Sequence, residues 1–325
     1  MKRNWFACEL HCHTNHSDGS FTPEALMDTA RARLLDGIAL TDHNTMSGAP
    51  LAAAYAEKPV LLPGVELTTF HGHMPVLAPA DWVEWRDVSA EQGDLLIRRA
   101  KEAGGTVGIA HPFQLGTPIC TGGHWDYSVQ DKSQIDYIEI FSEGCPYLNS
   151  SNRRAIRLWH SFLDEGLRPA PTMGRDWHRP ENNIYPAACT YLGTTAAKLS
   201  PQAMLTAICE GRTVVSAGPL FTVSAEDGLT VGDTLNSGKH RLDMQISYTR
   251  NDKLNGDTPV ACQKIVIRTN GGAVCGEYPI AARCTAFAAD VDFRPGAWYS
   301  IELWGNIGEK ENQLLVITAA MFAAP

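Results

Sequence analysis

Three imidazoles and a carboxylate fall within nine residues near the start of the chain, His11-Cys12-His13-Thr14-Asn15-His16-Ser17-Asp18-Gly19. His11 and His13 are two apart. On a strand, residues two apart face the same side, so both rings can reach one metal ion. The plainer reading is an exposed His-rich turn or a tag remnant, although a tag is usually a uniform run without an interleaved Asp-Gly. The other histidines weigh on this choice. Of eleven, nine precede residue 161, and His178 follows Asp176 by two. The pairs His11/His13, Asp42/His43, His71/His73 and Asp176/His178 each set two polar ligands close together. With Glu66 and His111 this is more imidazole and carboxylate than a mononuclear site uses. Convergent His and carboxylate groups suit Zn, Mn or Fe. A carboxylate such as Glu66 or Asp176 can bridge two ions, and two neighbouring ions can hold a bridging hydroxide and a substrate oxygen together.

Each ligand needs an element to deliver it. Trp5–Leu10 reads as a strand leading into the first motif, with Cys12 pointing away from its neighbours. Thr22-Pro23-Glu24 reads as a capped helix start running to about Leu35. The apolar stretch Ile38–Thr41 delivers Asp42-His43, and a helix covers 47–57. Val60–Val65 delivers Glu66, and His71-Gly72-His73 leads into 74–78. A helix over 89–103 precedes the strand Thr106–Ala110, which delivers His111. Such alternation predicts parallel strands with right-handed crossovers, whose chemistry sits at the strand ends.

The stretch from Phe113 to Ser133 breaks the rhythm and holds His124-Trp125-Asp126-Tyr127. Long irregular loops tend to be functional, so it reads as a substrate-facing loop or lid, against a surface excursion with packing aromatics. Ile135–Ile140 carries Glu139, and 150–165 is helical with Ile156, Trp159 and Leu163 on one face. Pro169–Met173 then delivers Gly174-Arg175-Asp176-Trp177-His178, followed by a strand at Ala187–Leu192 and a helix at Pro201–Cys209. From Thr213 onward the runs are short and β-like, divided by Gly, Asn, Asp and Pro, without helical patterning. They predict a small all-β sandwich of roughly a hundred residues, so the domains divide as 1–212 and 213–325. That second part carries only His240, which places the chemistry in the first.

The totals narrow the partners. The 325 residues carry a net charge of -9 with a pI near 5.6, and no basic stripe. That argues against a nucleic-acid or anionic-membrane partner, and a nuclease is disfavoured. A small phosphorylated substrate remains compatible, because bound divalent metals reverse the local sign. The nine cysteines show no CxxC pair, and Cys12 and Cys145 lack the base a thiol nucleophile wants. The basic N-terminus is interrupted by Glu9 and His11, and no run approaches a membrane span. A cytoplasmic protein with reduced thiols is expected.

Taken in order, HxHTxxSDG, TDHN, GVE, GH, AHP and a late G-x-D-x-H resemble the PHP superfamily, the polymerase and histidinol phosphatase metallohydrolases, over about residues 7–215. Gly211–Pro219 and Gly232-Asp233 look like the branch related to carbaryl hydrolase, which carries a β-domain after the PHP unit. The resemblance implies an α/β fold with a distorted (β/α)7 barrel and two or three divalent metals (Zn, Mn or Fe) at the strand C-termini. Carried over motif by motif, His11, His13, Glu66 and Asp176 hold the first ion. Glu66 bridges to a second held by His73 and His111, and Asp18, His43 and His178 take a third. Glu139 is either a ligand or a supporting carboxylate, and Asp42 orients a ligand histidine.

One departure stands out: the late motif is usually Gly-Ser-Asp-x-His, and here Arg175 replaces the small residue. It either clamps an anionic group or turns outward into a surface pair. Arg154, at the start of its helix, is a second candidate for a substrate phosphate beside His124, or a solvated charge. His16 either lines the pocket or sits in solvent, and His160 reads as a helix-surface residue.

The function expected is a metal-dependent hydrolase, a phosphoesterase acting on a small phosphorylated metabolite. A metal-bridging hydroxide attacks phosphorus between Asp176, His178 and His43, with a third metal, or His178 or His43 in its absence, stabilising the leaving oxygen. The rival with the same chemistry is hydrolysis of a carbamate, ester or amide. The rival from another class is a non-catalytic metal- or ligand-binding module.

Overall fold

The computed structural model describes residues 3–55, 57–115, 123–142, 149–180, 187–254 and 259–325. Cys145 and the part of the Phe113–Ser133 loop from 116 to 122 lie outside the described residues.

The chain opens with β1 (Asn4–Cys12), α1 (Pro23–Ala32), β2 (Gly37–Leu40), α2 (Ala49–Tyr55), β3 (Val60–Thr69) and β4 (Gly72–Leu77). It continues with α3 (Gly93–Glu102), β5 (Thr106–Ile109), β6 (Tyr137–Ser142), α4 (Ser150–Asp164), β7 (Ala170–Gly174), β8 (Cys189–Thr194) and α5 (Pro201–Cys209). The architecture is mixed α/β and rich in strands. In the long sheet the strands run β9-β8-β1-β2-β3-β4-β5-β6-β7, where β9 is Thr213–Ser216.

Local chemistry accounts for the elements that matter most to the site. β1 is buried on both faces from Ala7 onward, so its alternation separates two interiors. Cys8 and Leu10 enter one apolar cluster and Cys12 enters another, leaving Glu9, His11 and His13 for the opposite side. α1 starts where Thr22 Oγ1 accepts from the Ala25 N–H at 3.2 Å and Pro23 occupies its first turn. Its buried Leu26, Met27 and Ala30 pack with Phe21, Cys12 and Trp177. Burying each of the larger side chains stabilises by about 1.5–3 kcal/mol, and that cluster braces the back of β1.

The strand pattern around Glu66 differs from the sequence reading. β1-β2-β3 and β5-β6-β7 are parallel, but β3 and β4 form an antiparallel hairpin, with Thr68 opposite His73 and Thr69 opposite Gly72. Gly72, at φ +142°, supplies the backbone conformation the tight reversal needs. Glu66 accordingly lies inside a ten-residue strand rather than at its end. Beyond β7 the chain meets β1 again in a single bridge. The Trp177 N–H donates to His11 O at 3.1 Å, and the His13 N–H donates to Trp177 O at 3.0 Å.

Past β9 come β10 (Leu220–Ser224), β11 (Thr234–Leu235), β12 (Gly238–Ser247), α6 (Thr249–Leu254), β13 (Val260–Thr269), β14 (Ala273–Pro279), β15 (Ala286–Phe293), β16 (Trp298–Ile307), β17 (Lys310–Thr318) and β18 (Met321–Ala323). The short helix α6 corrects the expectation that this region lacks helix. It is pinned by Arg250, whose guanidinium donates to the Arg33 and Leu34 carbonyls at 2.9 and 3.1 Å. The three-stranded sheet β10-β12-β15 shares one apolar cluster with β13, β16 and β17, through Phe221, Met244 and Phe293 on one side and Ile265, Leu303 and Leu315 on the other. β9 pairs with β8 along one edge and with β17 along the other, so a single sheet runs across residue 213.

α4 also touches the later strands. Asp164 accepts from the Gly271 N–H at 2.9 Å and from Trp298 Nε1 at 2.8 Å. His160, expected on the helix surface, is buried with its ring 4.8 Å from that of Trp298. The helix face that carries it is covered by a strand that begins 138 residues later. Among the described residues no helix is long and apolar enough to cross a membrane.

Candidate metal centre

Glu66 stands at the middle of five imidazoles. Its Oε2 lies 3.1 Å from His11 Nε2, 3.4 Å from His13 Nε2 and 2.9 Å from His43 Nδ1. Its Oε1 lies 3.0 Å from His73 Nδ1 and 3.3 Å from His111 Nε2. Asp176 Oδ1 closes the first corner at 3.0 Å from His13 Nε2 and 3.4 Å from His11 Nε2. Asp18 Oδ1 reaches His178 Nε2 at 3.0 Å and His43 Nε2 at 3.4 Å. Thus all nine residues expected to hold metal are drawn into one cluster, from strands and loops spread over 168 positions.

Three subsets have ligand atoms within 4.8 Å of one another: His11, His13, Glu66 and Asp176; His13, Asp18, His43 and His178; and His43, Glu66 and His73. The first is the set expected around one ion. The second adds His13 to the set expected for another. In the third, His43 stands where His111 was expected.

The chemistry of these atoms fits divalent cations. His11 Nε2, both His13 nitrogens, His73 Nε2, Glu66 Oε2 and Asp176 Oδ1 are buried and make no hydrogen bond of acceptable geometry. Buried polar atoms are rarely left so, and several converging on one space ask for a common partner. Charge points the same way. Burial works to raise the Glu66 carboxyl, but His11, His73 and His43 outweigh it and hold Glu66 well below the ordinary carboxylate range. Burial lowers His111 and His178, yet Glu66 and Asp18 respectively bring each to about 9. Burial wins at His13 and drives it to about 4. Without a cation, protons on the imidazoles must balance the carboxylates; with one, the imidazoles become neutral ligands. Exposure grades across the cluster: the side chains of His11, His13 and Glu66 are fully buried, whereas Asp18 is 50% exposed and His178 29%. Solvent therefore reaches the centre from the Asp18–His178 side.

Supporting groups fix the rings. Glu139 accepts from His11 Nδ1 at 2.8 Å and from the His111 N–H at 3.1 Å, so its two oxygens orient one residue of β1 and one just past β5. His111 Nδ1 lies 3.2 Å from the Gly123 carbonyl, which turns Nε2 inward. His43 Nδ1 lies 2.5 Å from the Thr68 hydroxyl, and Thr68 is two residues past Glu66 on β3. His111 at φ +24° and Asp176 at φ +52° hold positive-φ backbones that non-glycine residues seldom adopt, the kind of strain that gathers at functional sites.

Several sequence expectations are corrected. Asp42 does not orient a histidine; it accepts from the Thr14 N–H at 2.6 Å, Thr14 Oγ1 at 2.7 Å and Ser17 Oγ at 2.8 Å, shaping the loop that carries Asp18. Arg175 is neither an anion clamp nor a surface charge. It is 7% exposed, with Nε 3.5 Å from Glu9 Oε2, one amino group donating to the Ala188 carbonyl at 3.2 Å, and the Trp177 ring beside it. His124 and Arg154 stay outside the metal cluster. The Arg154 guanidinium lies 4.2 Å over the Phe113 ring, and the His124 ring is 5.8 Å from that same ring. His16 turns to the Ser47 hydroxyl at 2.7 Å, and His71 packs on Tyr127.

Glu9 is the group that sequence reasoning passed over. Its Oε1 accepts from the N–H groups of Leu10, His11 and Arg175 at 3.0, 3.1 and 2.8 Å. Burial pushes its carboxyl up to about 7, against the pull of Arg175 and those donors. The only signal in the sequence was its place two residues before His11 on the same strand face.

With this geometry in view, the chain can be set beside known proteins. Residues 9–107 match the PHP domain. That PHP segment contains His11, His13, Asp18, His43, Glu66 and His73, and ends before His111, Asp176 and His178. The chain is 41% identical over 70 residues to the 3',5'-nucleoside bisphosphate phosphatase of Chromobacterium violaceum, covering 21% of this chain and 25% of that protein. It is 40% identical over 65 residues to the 5'-3' exoribonuclease Rnm of Escherichia coli, covering 19% and 22%. The chain thus spans a quarter or less of the length of these curated relatives. Over nearly the whole chain it resembles the crystal structure of a two-domain protein from Bacteroides vulgatus, described as containing a predicted PHP-like metal-dependent phosphoesterase. The TM-score is 0.54 at 16% identity, over 98% of this chain and 95% of that one, a likeness of fold.

Proposed function

We propose that the chain is a metal-dependent phosphoesterase acting on a small phosphorylated metabolite. The observation that carries this reading is the convergence of His11 Nε2, His13 Nε2, Glu66 Oε2 and Asp176 Oδ1, four buried atoms without a hydrogen bond of acceptable geometry, on one space. His11, His13, Glu66 and Asp176 would hold one ion, Glu66 with His73 and His111 a second, and Asp18, His43 and His178 a third. Bound divalent cations would supply positive charge against the phosphoryl oxygens and lower the pKa of water.

The chain's own groups do the rest. Glu139 and the Gly123 carbonyl keep His11 and His111 turned inward. His178 Nδ1 sits 2.8 Å from the Asp176 carbonyl, which leaves Nε2 at the open side beside Asp18. There His178, and His43 behind it, would hold a proton for the departing oxygen where the third position is empty. The substrate-binding roles of Arg154 and His124 belong to the same reading, since both flank Phe113, two residues after His111. So do the distorted (β/α)7 barrel, which the Cys12–Trp177 bridge supports, and the division into 1–212 and 213–325. A cytoplasmic setting agrees with free thiols at the seven described cysteines.

The relatives divide between a nucleoside bisphosphate and RNA as substrate, so the test carries both. Purified protein is reconstituted with Mn, Zn or Fe and given p-nitrophenyl phosphate, sugar phosphates, a nucleoside 3',5'-bisphosphate, a short RNA and aryl carbamates. Metal-dependent phosphate release from the small esters is expected. Less than one ion per chain after reconstitution would overturn the reading. Cleavage of carbamates alone would replace it with the carbamate hydrolase suggested by the Gly211–Pro219 stretch, and cleavage of RNA alone would replace it with a nuclease.

A further inference from the structure

We propose that Glu9 and Arg175 are positioning residues for the metal centre, a buried charge pair that locks the backbone of His11 to that of Asp176. The proposal rests on the metal-centre reading above. His11 and Asp176 lie 165 positions apart, yet their metal-facing atoms must stay in register. Glu9 Oε1 collects the N–H groups of Leu10 and His11 on β1 and of Arg175 just past β7. One carboxylate oxygen thereby spans the junction between the two strands. The flanking bridge between Cys12 and Trp177 ties the same two segments on the other side of the ligands.

Arg175 completes the lock. Its own N–H reaches Glu9 Oε1, while its guanidinium stands near the remaining oxygen, with Nε 3.5 Å from Oε2. The same side chain reaches the Ala188 carbonyl, so it braces the approach to β8 as well. A small residue at 175 could offer only the N–H. Arginine adds a fixed positive charge beside that oxygen, which draws the carboxyl group into place. Asp176 needs such support, because its backbone sits at φ +52°. Neither Glu9 nor Arg175 is among the residues that would touch the ions.

The test uses cobalt(II) as the probe, since its visible spectrum reports ligand geometry independently of turnover. Glu9→Gln and Arg175→Met should bind cobalt about 10–100-fold more weakly, the usual effect of removing a group that orients ligands, with shifted visible bands and an unchanged far-ultraviolet dichroism. Arg175→Lys keeps the charge and should recover part of the affinity. Where a single variant fails to fold, the double variant Glu9→Gln/Arg175→Met removes the unpaired buried charge and should still bind cobalt weakly. A pair that merely supports the fold would lower the melting temperature and leave the affinity and spectrum of folded protein at parent values; that result overturns the proposal. If the parent itself binds no cobalt, the metal-centre reading fails and the proposal falls with it.

Discussion

Gly174→Ala offers a sharp test of how the centre is held. Gly174 closes β7, and a Cβ there would lie 2.2 Å from Glu139 Oε1, 2.5 Å from its Cδ and 2.8 Å from Oε2. No real contact is that short, so the carboxylate must move by more than about an ångström to restore van der Waals distance. It cannot do so and keep its partners: the bonds to His11 Nδ1 and to the His111 N–H, at 2.8 and 3.1 Å, would stretch beyond hydrogen-bonding range. Gly174 does not use the left-handed region, so alanine meets no backbone penalty and the effect isolates the carboxylate. Two rings then lose their orientation, which should weaken metal binding about 10–100-fold, or about 1.4–2.7 kcal/mol. Overpacking should cost the metal-free protein a further 1–3 kcal/mol or so. Calorimetric titration of zinc into metal-free protein measures the first quantity and urea denaturation the second. Zinc affinity within twofold of the parent would show that Glu139 does not orient these rings.

Other perturbations address separate parts of the structure. His13→Ala or Glu66→Ala should abolish phosphate release and lower bound metal while the far-ultraviolet dichroism stays native; near-normal turnover in either would mean that the centre lies elsewhere. Asp42→Ala removes three acceptor contacts from the Thr14–Ser17 loop, at about 1.5–3 kcal/mol for hydrogen bonds to a charged group. Amide exchange at Ser17 and Gly19 should speed up, and unchanged protection would contradict the role given to Asp42. His160 predicts a pH dependence. Burial, with Arg268 nearby, holds it at about 4 against an ordinary 6.5, so between those values the unfolded chain binds the extra proton. Stability is therefore full above pH 6.5 and falls as the pH drops toward 4, by up to about 3 kcal/mol. Denaturation midpoints of His160→Phe should be flatter across that window, and an identical profile would remove His160 as the cause.

The residues of the candidate site were legible because their spacing is local. A strand sets alternate residues on one face, so His11 and His13 could be paired from spacing alone, and each later motif followed an apolar run. Their supports were not legible, since each depends on a register between distant strands. Nothing near Glu9 in sequence indicates that Arg175 lies against it, and Gly174 gives no hint that it makes room for Glu139. Asp42 and Arg175 were misjudged for that reason: both have the charge for a site role, and both spend it on backbone or on another buried charge. The β3–β4 hairpin was missed because its turn, Phe70-His71, lacks the Asn-Gly or Asp-Gly signature and only Gly72 marks it.

The continuity of the sheet through β9 bears on the order in which the molecule is made. β9 takes one neighbour from β8, already synthesised, and the other from β17, at residues Lys310–Thr318. A ribosome adding about 5–20 residues per second would take roughly 5–20 s to cover the hundred or so residues between them. Throughout that interval the strand carrying Val214 and Val215 presents an open edge of unpaired N–H and C=O groups, a template for pairing with another nascent chain. A chain truncated between β9 and β17 would keep that edge for good. Chain length, and not only the ligand set, should therefore decide whether the metal-binding part can be obtained as a well-behaved fragment.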